Sequence, residues 1–163
     1  TLLASSAASD VYKRQIRPRL LTEARRINDT MGGYVAARVV ESMNRHGIMV
    51  NGASVLILGF AFKENCPDIR NTKVEDIYLS LQKFTSDITV YDPNIDAREA
   101  MTEYGIEVCT DGTEIEGNTY DAIICCVSHS CFDRLDIQAM RKQRSIVYDI
   151  KGNIPQEYVT DRL

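Results

Sequence analysis

Charged side chains cluster in a segment that directly follows a short apolar run. Residues 54–60 are apolar and β-branched and are bounded by glycine, and Lys63 and Arg70 then flank Asp68. Ligands of parallel sheets bind beyond the carboxyl ends of the strands. A lysine and an arginine at that edge can bind the anionic oxygens of a ligand. The residues therefore predict an anion-binding loop, with a solvated surface loop as the alternative that they leave open.

The same loop lacks the glycine pattern of a dinucleotide site. Gly59 is the only glycine in it, and Phe60 and Phe62 stand where a backbone would have to approach a pyrophosphate closely. We therefore expect that this sheet does not bind a dinucleotide in the ordinary way.

The cysteines and histidines predict no metal site. No pair of the five cysteines has C-x-x-C spacing, and the two histidines are far apart in the chain. Cys125 and Cys126 lie in an apolar run, which is typical of buried free thiols in a reducing compartment. His129 follows a predicted strand, and we interpret it as a hydrogen-bonded loop histidine, with a role near a ligand as the alternative.

Strand and helix patterns alternate along residues 51–163. Apolar runs predict strands at 54–60, 87–91, 106–109, 120–127 and 145–150, and helical spacing predicts helices at 74–84, 97–104 and 135–142. Continuously apolar strands are typical of parallel sheets covered on both faces. The predicted fold class is α/β, with a doubly wound, mainly parallel Rossmann-like sheet preceded by a long α-helix.

That long helix is predicted within residues 16–50. Pro18 suits a first helical turn, and apolar residues then recur at steps of three and four up to His46. Gly32 and Gly33 in its middle indicate either a kink or the close approach of another backbone. A continuous apolar stripe of this length needs a second chain or another domain to pack against. Residues 1–15 are small, polar and aperiodic, and we expect a disordered tail or an artefact there.

Composition narrows the class of protein. The chain has 163 residues, 44% hydrophobic and 26% charged, with a net charge of −4. No apolar run approaches the ~20 residues that span a bilayer, so no membrane partner is expected. The negative charge argues against nucleic acid as the main partner.

Several motifs together resemble the UDP-glucose/GDP-mannose dehydrogenase family. LGFAFKENCPDIRNTKVEDI at 58–77 is similar to the start of the family's carboxy-terminal domain, where a strand ends in G-x-x-F-K and a D-x-R follows. ARRINDTMGGYVA at 24–36 resembles the end of its central helix, and VYDP at 90–93 and VYDIKG at 147–152 resemble later landmarks. The resemblance covers about residues 17–155.

The resemblance implies roles for particular residues. Lys63 matches a lysine that contacts the nucleotide sugar, and Phe62 matches its neighbour in that pocket. Lys151 stands where many members have an arginine near the nucleotide sugar. A lysine at this position keeps the positive charge but lacks the planar guanidinium group of arginine. Arg70 matches an arginine that reaches the phosphates of an NAD bound by an amino-terminal domain. Residues 16–50 would be the end of a central dimerisation helix, and 51–163 the UDP-sugar-binding domain.

The resemblance also implies the chemistry, which is two successive hydride transfers from C6 of the sugar to NAD with a cysteine thiohemiacetal between them. The family's nucleophile lies in a G-x-C motif before the long helix, and this chain contains no such motif. We therefore expect no catalytic residue here, Cys66 included, and no turnover by this chain alone.

The variant motifs are most similar to the branch that oxidises UDP-N-acetylhexosamines, namely UDP-GalNAc or UDP-ManNAc, to uronates for surface polysaccharides, in the cytoplasm. Which hexosamine is oxidised stays open. The implied partners are the UDP-sugar, amino-terminal and central domains, and a second copy of the chain. The alternative is a non-catalytic nucleotide-binding or dimerisation module.

Overall fold

The computed structural model describes residues 4–163, with side chains from Leu21 onward. The chain divides between Met31 and Gly32 into two compact units. Helix α1 (Ala4–Arg45) begins upstream of the start predicted at Pro18. Much of the segment expected to be a disordered tail is therefore helical. It contains alanine and neither glycine nor proline before Pro18, which favours a helix. The first three residues of the predicted tail lie outside the described residues.

A five-stranded, fully parallel sheet forms the centre of the second unit. Its strands are β1 (Val55–Leu58), β2 (Ile88–Tyr91), β3 (Tyr120–Cys125), β4 (Arg141–Asp149) and β5 (Asp161–Arg162). They lie in the order β2-β1-β3-β4-β5. Every residue of the internal strand β1 is buried, because a parallel sheet is covered on both faces. The predicted α/β class with a parallel sheet is confirmed.

Helices α2 (Val74–Leu81) and α3 (Ala97–Tyr104) connect the first strands. Asp96 caps α3 by accepting a hydrogen bond from the Arg98 backbone N–H, as aspartate does at many helix starts. Gly105 ends α3 in the left-handed conformation, at φ 66°. The helix predicted at 97–104 is confirmed, and the one predicted at 74–84 ends three residues early.

The glycine pair of α1 is explained by a close helix contact. A Cβ atom on Gly32 would lie 2.3 Å from the Asp76 Cβ of α2, whereas one on Gly33 would come no closer than 4.0 Å to the Ser80 Oγ. Of the two expectations, the approach of another backbone is confirmed. After this contact, α1 buries the apolar side chains of Val35, Ala36, Val39 and Met43.

The helix predicted at 135–142 is wrong. Residues Ser130–Arg134 form a short 3-10 helix, and β4 has already begun at Arg141. The apolar residues between them still pack on the core, namely Leu135, Ile137 and Met140. Their spacing of two and three residues suits an irregular segment, because residues two apart face different sides of a helix.

The strand predicted at 106–109 is reduced to a single bridge between Tyr91 and Cys109. Ile106 and Val108 are buried in this extended segment. The apolar pattern therefore reflected burial, and not the hydrogen-bond ladder of a regular strand. The short strand β5 was not predicted from the sequence.

Candidate functional site

The order of the strands defines where a ligand should bind. The chain passes from β1 to β2 on one side and returns to β3 on the other side, so the crevice between the carboxyl ends of β1 and β3 is the topological switch point. A pocket of about 550 Å³ opens there. Leu58 and Cys125, the last residues of β1 and β3, both line it. This volume lies within the range of about 300–1,000 Å³ that is typical of small-molecule sites.

The loops that follow β3 and β4 form the walls of this switch-point pocket. The lining includes the apolar residues Phe132 and Ile154 and the acidic residues Asp133 and Asp136. No lysine or arginine is among the described residues that line the pocket. The pocket itself is therefore uncharged to acidic, and any cationic contribution comes from its surroundings.

Gly59 allows the loop after β1 to leave the sheet against β3. It has φ 89°, and a Cβ atom there would lie 2.5 Å from the Val127 Cβ. Glycine is required for this close packing and for the positive φ. Close packing against Val127 therefore explains the glycine at position 59, without reference to a bound phosphate.

Asp92, which follows β2, holds the start of that loop. Its Oδ2 accepts hydrogen bonds from the backbone N–H of Phe60 at 2.7 Å and of Ala61 at 2.8 Å. Its Oδ1 accepts from the Asn94 N–H at 2.9 Å. Burial alone would raise the pKa of Asp92, but these bonds and one from His129 together lower it. Asp92 is therefore a buried carboxylate stabilised by fixed donors.

His129, which follows β3, joins Asp92 to the far side of the same loop. Its Nε2 lies 3.0 Å from Asp92 Oδ2, and its Nδ1 lies 2.8 Å from the backbone N of Asn65. Because a backbone N–H can only donate, Nδ1 accepts and the ring proton is on Nε2. This assignment makes His129 a neutral ring that donates to Asp92 and accepts from Asn65. The prediction of a hydrogen-bonded loop histidine is confirmed.

Asn65 completes the connection between the loops after β1 and β3. It has a left-handed backbone, at φ 54°, which asparagine adopts more readily than most residues. Its side-chain Oδ1 accepts from both the N–H and the Oγ of Ser130, each at 3.0 Å. The segment around Lys63 is thus fixed on one side by Asp92 and on the other by His129 and Ser130. Asn65 and Asp92 were not singled out from the sequence.

Lys63 lies at the exposed tip between these two anchors. Its Nζ is 5.5 Å from the ring centroid of Phe62, which is half exposed. A cation at this distance interacts weakly with an aromatic ring. The structure therefore presents Lys63 and Phe62 together, on a loop whose backbone is held from both sides.

Arg70 is paired within its own loop. Its Nε and Nη2 donate to the two carboxylate oxygens of Asp68 at 2.9 and 2.7 Å. These bonds lower the pKa of Asp68 to about 2. The pair is bidentate, so Asp68 orients the guanidinium, which is nevertheless 73% exposed. Arg70 is not among the residues that line the switch-point pocket.

Lys151 lies in the loop after β4, which a buried aspartate organises. Asp149 is fully buried, and its carboxylate accepts from the backbone N–H groups of Lys151, Gly152 and Ile154 at 3.1, 2.9 and 3.0 Å. Strands β1 and β4 are separated by β3 alone, so their ends are roughly 10 Å apart. The loops of Lys63 and Lys151 thus leave the same edge of the sheet, on the two sides of β3.

Cys125 and Cys126, at the end of β3, are poor nucleophiles. Burial raises the pKa of Cys125 to about 12, and burial also raises the pKa of Cys126 well above its ordinary value. Cys66 is partly buried.

Among the described residues, no cluster of His, Cys, Asp or Glu could hold a metal ion. Within the same residues, no helix has the length and hydropathy needed to cross a membrane.

Comparisons with known proteins identify relatives of this chain. The chain is 42% identical over 149 residues to UDP-N-acetyl-D-glucosamine 6-dehydrogenase of Salmonella typhi, covering 90% of this chain and 34% of that protein. It is 43% identical over 137 residues to the Pseudomonas aeruginosa protein of the same name, covering 82% and 32%. The chain thus spans about a third of the length of these relatives.

A solved structure, the NDP-N-acetyl-D-galactosaminuronic acid dehydrogenase from Methanosarcina mazei Go1, superimposes with a TM-score of 0.72 and 25% identity. That superposition covers 84% of this chain and 28% of the other. Residues 56–156 match the UDP binding domain of the UDP-glucose/GDP-mannose dehydrogenase family. The chain therefore belongs to the UDP-glucose/GDP-mannose dehydrogenase family and carries its UDP binding domain.

Proposed function

We propose that this chain is the carboxy-terminal part of an NAD-dependent nucleotide-sugar 6-dehydrogenase and that it binds the UDP-sugar. The substrate would be a UDP-N-acetylhexosamine, oxidised in the cytoplasm to the uronate that a surface polysaccharide requires. Relatives named as UDP-N-acetyl-D-glucosamine 6-dehydrogenases support this proposal. So does the 37% identity over 139 residues to Protein CapL of Staphylococcus aureus.

The observation that carries the proposal is the fixed position of the Lys63 loop at the switch point. Asp92 and His129 hold this loop by backbone hydrogen bonds, so the lysine is placed before a ligand arrives. Preorganisation of this kind reduces the entropy that binding would otherwise cost. In the proposal Lys63 and Lys151 bind the diphosphate oxygens, and Phe62 packs beside the ligand.

The loop after β1 lacks the glycine pattern of an ordinary dinucleotide site, because Phe60 and Phe62 follow its single glycine. We therefore assign NAD mainly to an amino-terminal domain, with Arg70 as the contact from this chain. Asp68 fixes the orientation of the Arg70 guanidinium through two hydrogen bonds. NAD supplies the acceptor for the hydride, and the nucleophilic cysteine belongs to the part of the protein before this chain.

The proposal also includes a homodimer formed through α1. Leu21 and Ile27 are 62% and 60% exposed on this helix, although both are large and apolar. Exposed apolar side chains along one helix are typical of a surface that another chain covers.

Two proteins, the chain itself and a chimera, test the proposed function. The 163-residue chain should bind UDP-N-acetylglucosamine in isothermal titration calorimetry but produce no NADH. A chimera that joins it to the amino-terminal and central domains of the Salmonella relative should produce NADH. Turnover by the chain alone would contradict the assignment of the catalytic residues to other domains. Binding by the chain with no turnover by a folded chimera would favour a non-catalytic nucleotide-binding module instead.

A further inference from the structure

The last strand, β5, carries an arginine that reaches back to the loop after β4. The two strands pair in parallel, and Arg162 lies opposite Asp149. Arg162 Nη2 donates a hydrogen bond to the carbonyl oxygen of Ile154, and its Nε lies 3.5 Å from Asp149 Oδ2. The side chain therefore bridges the carboxylate that organises the Lys151 loop (residues 150–154) and the backbone at the end of that loop.

The two oxygens of Asp149 hold different ends of the Lys151 loop. Oδ1 accepts from the backbone N–H groups of Lys151 and Gly152 at 3.1 and 2.9 Å. Oδ2 accepts from the Ile154 N–H at 3.0 Å and is also the oxygen that faces Arg162. Arg162 thus completes the far end of the loop, where Ile154 is bound through both its N–H and its C=O.

Asp149 depends on the charge of Arg162 as well as on its hydrogen bonds. The carboxylate is fully buried, whereas the Arg162 side chain is 35% exposed. Removing one partner of a buried ion pair leaves a charge that is uncompensated, which is strongly unfavourable. Without Arg162 we therefore expect water to reach Asp149 and the Lys151 loop to open more often.

Strand β5 is itself held from two sides. On the side of β4, the Thr160 N–H donates to the Val147 carbonyl at 2.9 Å, and Thr160 Oγ1 accepts from the Val147 N–H at 3.1 Å. On the side of α1, Asp161 accepts a hydrogen bond from Ser42 Oγ and pairs with Arg45 at 2.7 Å. These contacts fix the backbone of a strand that is only two residues long, and so they fix the point from which the arginine extends.

We propose that Arg162 is a positioning residue for Lys151, and that it holds the Lys151 loop in the conformation that binds the sugar diphosphate. This inference rests on the proposed function, in which Lys151 binds diphosphate oxygens. Arg162 is not among the described residues that line the switch-point pocket. Its effect on the ligand therefore passes through the loop.

The first measurement needs no ligand. Hydrogen exchange of backbone amides is followed by ¹H–¹⁵N correlation NMR in the unmodified chain and in Arg162→Ala. The Gly152 and Ile154 amides should exchange at least about tenfold faster in the variant, the effect of one lost charge-assisted bond on local opening. Arg144→Ala, which removes an exposed arginine of β4, is the matched control and should change neither amide.

A conservative variant separates positioning from a loss of folding. Arg162→Lys keeps the charge beside Asp149, but a single ammonium replaces the fork that reaches both Asp149 and Ile154. Its loop amides should exchange at rates between those of the unmodified chain and Arg162→Ala. Loop exchange that is unchanged in both variants would overturn the proposal, whatever the ligand does.

The second measurement tests the link to Lys151. Titration calorimetry of UDP-N-acetylglucosamine is compared for the unmodified chain, Arg162→Ala, Lys151→Ala and the double variant. Arg162→Ala should weaken binding roughly two- to tenfold, the effect of having to order one long side chain on binding. When Lys151 is already alanine, the same change should weaken binding less than about twofold, because the side chain that Arg162 positions is gone.

Weakening that is absent, or that is equal in both backgrounds, would overturn the proposal, since a direct contact or a general loss of structure gives additive effects. Failure of the unmodified chain to bind UDP-N-acetylglucosamine would count against the proposed function instead. The exchange rates would then decide on their own whether Arg162 holds the Lys151 loop.

Discussion

Asp92→Asn changes one atom of the network that holds the Lys63 loop. In the unmodified chain Oδ2 accepts from Phe60, Ala61 and His129, and Oδ1 accepts from Asn94. An asparagine can place its oxygen at the Oδ2 position and keep three of these bonds. Its amide group then faces the Asn94 N–H, so two donors oppose each other in a buried site.

The expected magnitude follows from these four bonds. One is lost outright, and the other three change from charge-assisted to neutral bonds. A bond to a charged group contributes about 1.5–3 kcal/mol and a neutral one about 0.5–1.5 kcal/mol. Allowing for relaxation of the loop, we expect Asp92→Asn to lower the free energy of unfolding by about 2–4 kcal/mol.

Urea-induced unfolding followed by circular dichroism measures this loss. The control is Asp111→Asn, because Asp111 likewise accepts a bond from the N–H two residues on, at 3.0 Å, but is exposed. Asparagine caps nearly as well as aspartate, so the control should lose less than about 0.5 kcal/mol. An Asp92→Asn variant as stable as the control would refute the role assigned to the carboxylate.

The same variant predicts a dependence on pH. The pKa of Asp92 is lowered in the folded chain, so its stabilising contribution is complete above the ordinary aspartate pKa of about 3.9 and is lost as pH falls through the lower folded value. The difference in unfolding free energy between the unmodified chain and Asp92→Asn should therefore be constant from pH 7 to about pH 5 and shrink below about pH 4. A difference that stays the same at pH 3 would contradict this reasoning.

Further predictions concern glycines and the NAD contact. Gly32→Ala should lower the free energy of unfolding, because its Cβ would overlap Asp76. Gly33→Ala should raise the free energy of unfolding by up to about 1 kcal/mol, because alanine favours a helix more than glycine does. Urea unfolding of the two variants measures both changes, and equal effects would contradict the packing of Gly32 against α2. Gly59→Ala should cost more than about 2 kcal/mol, since overpacking and strain at positive φ add, and a fully stable variant would show that the loop can leave β1 another way. Arg70→Ala in the chimera with the Salmonella domains should raise KM for NAD and leave KM for the UDP-sugar unchanged; the reverse result in steady-state kinetics would remove Arg70 from the NAD site.

Local patterns predicted the central sheet because burial on both faces leaves continuous apolar runs. Val55–Leu58 and Ala122–Cys125 are such runs, and they belong to the neighbouring strands β1 and β3. Gly105 predicted the end of α3 because a left-handed cap favours glycine. These features depend on short-range chemistry, which a sequence displays directly.

Tertiary contacts explain what the sequence could not predict. Leu135 and Met140 pack on the core from an irregular segment, so their burial was mistaken for a helical face. The partnership of Asp92 and His129 joins residues 37 positions apart, and only the parallel order of β2, β1 and β3 brings them together. The motif containing Lys63 was visible, but the anchors that fix its loop, Asp92 and His129, lie in the segments that follow β2 and β3.

One binding measurement tests the central claim that a fixed cationic loop at the switch point binds a sugar diphosphate. Titration calorimetry of UDP-N-acetylglucosamine is compared for the unmodified chain, Lys63→Ala and Lys83→Ala, where Lys83 is an exposed lysine just beyond α2. Loss of a charge-assisted contact should weaken binding roughly 10- to 150-fold in Lys63→Ala, and Lys83→Ala should bind like the unmodified chain. Equal affinities for all three proteins would contradict the account.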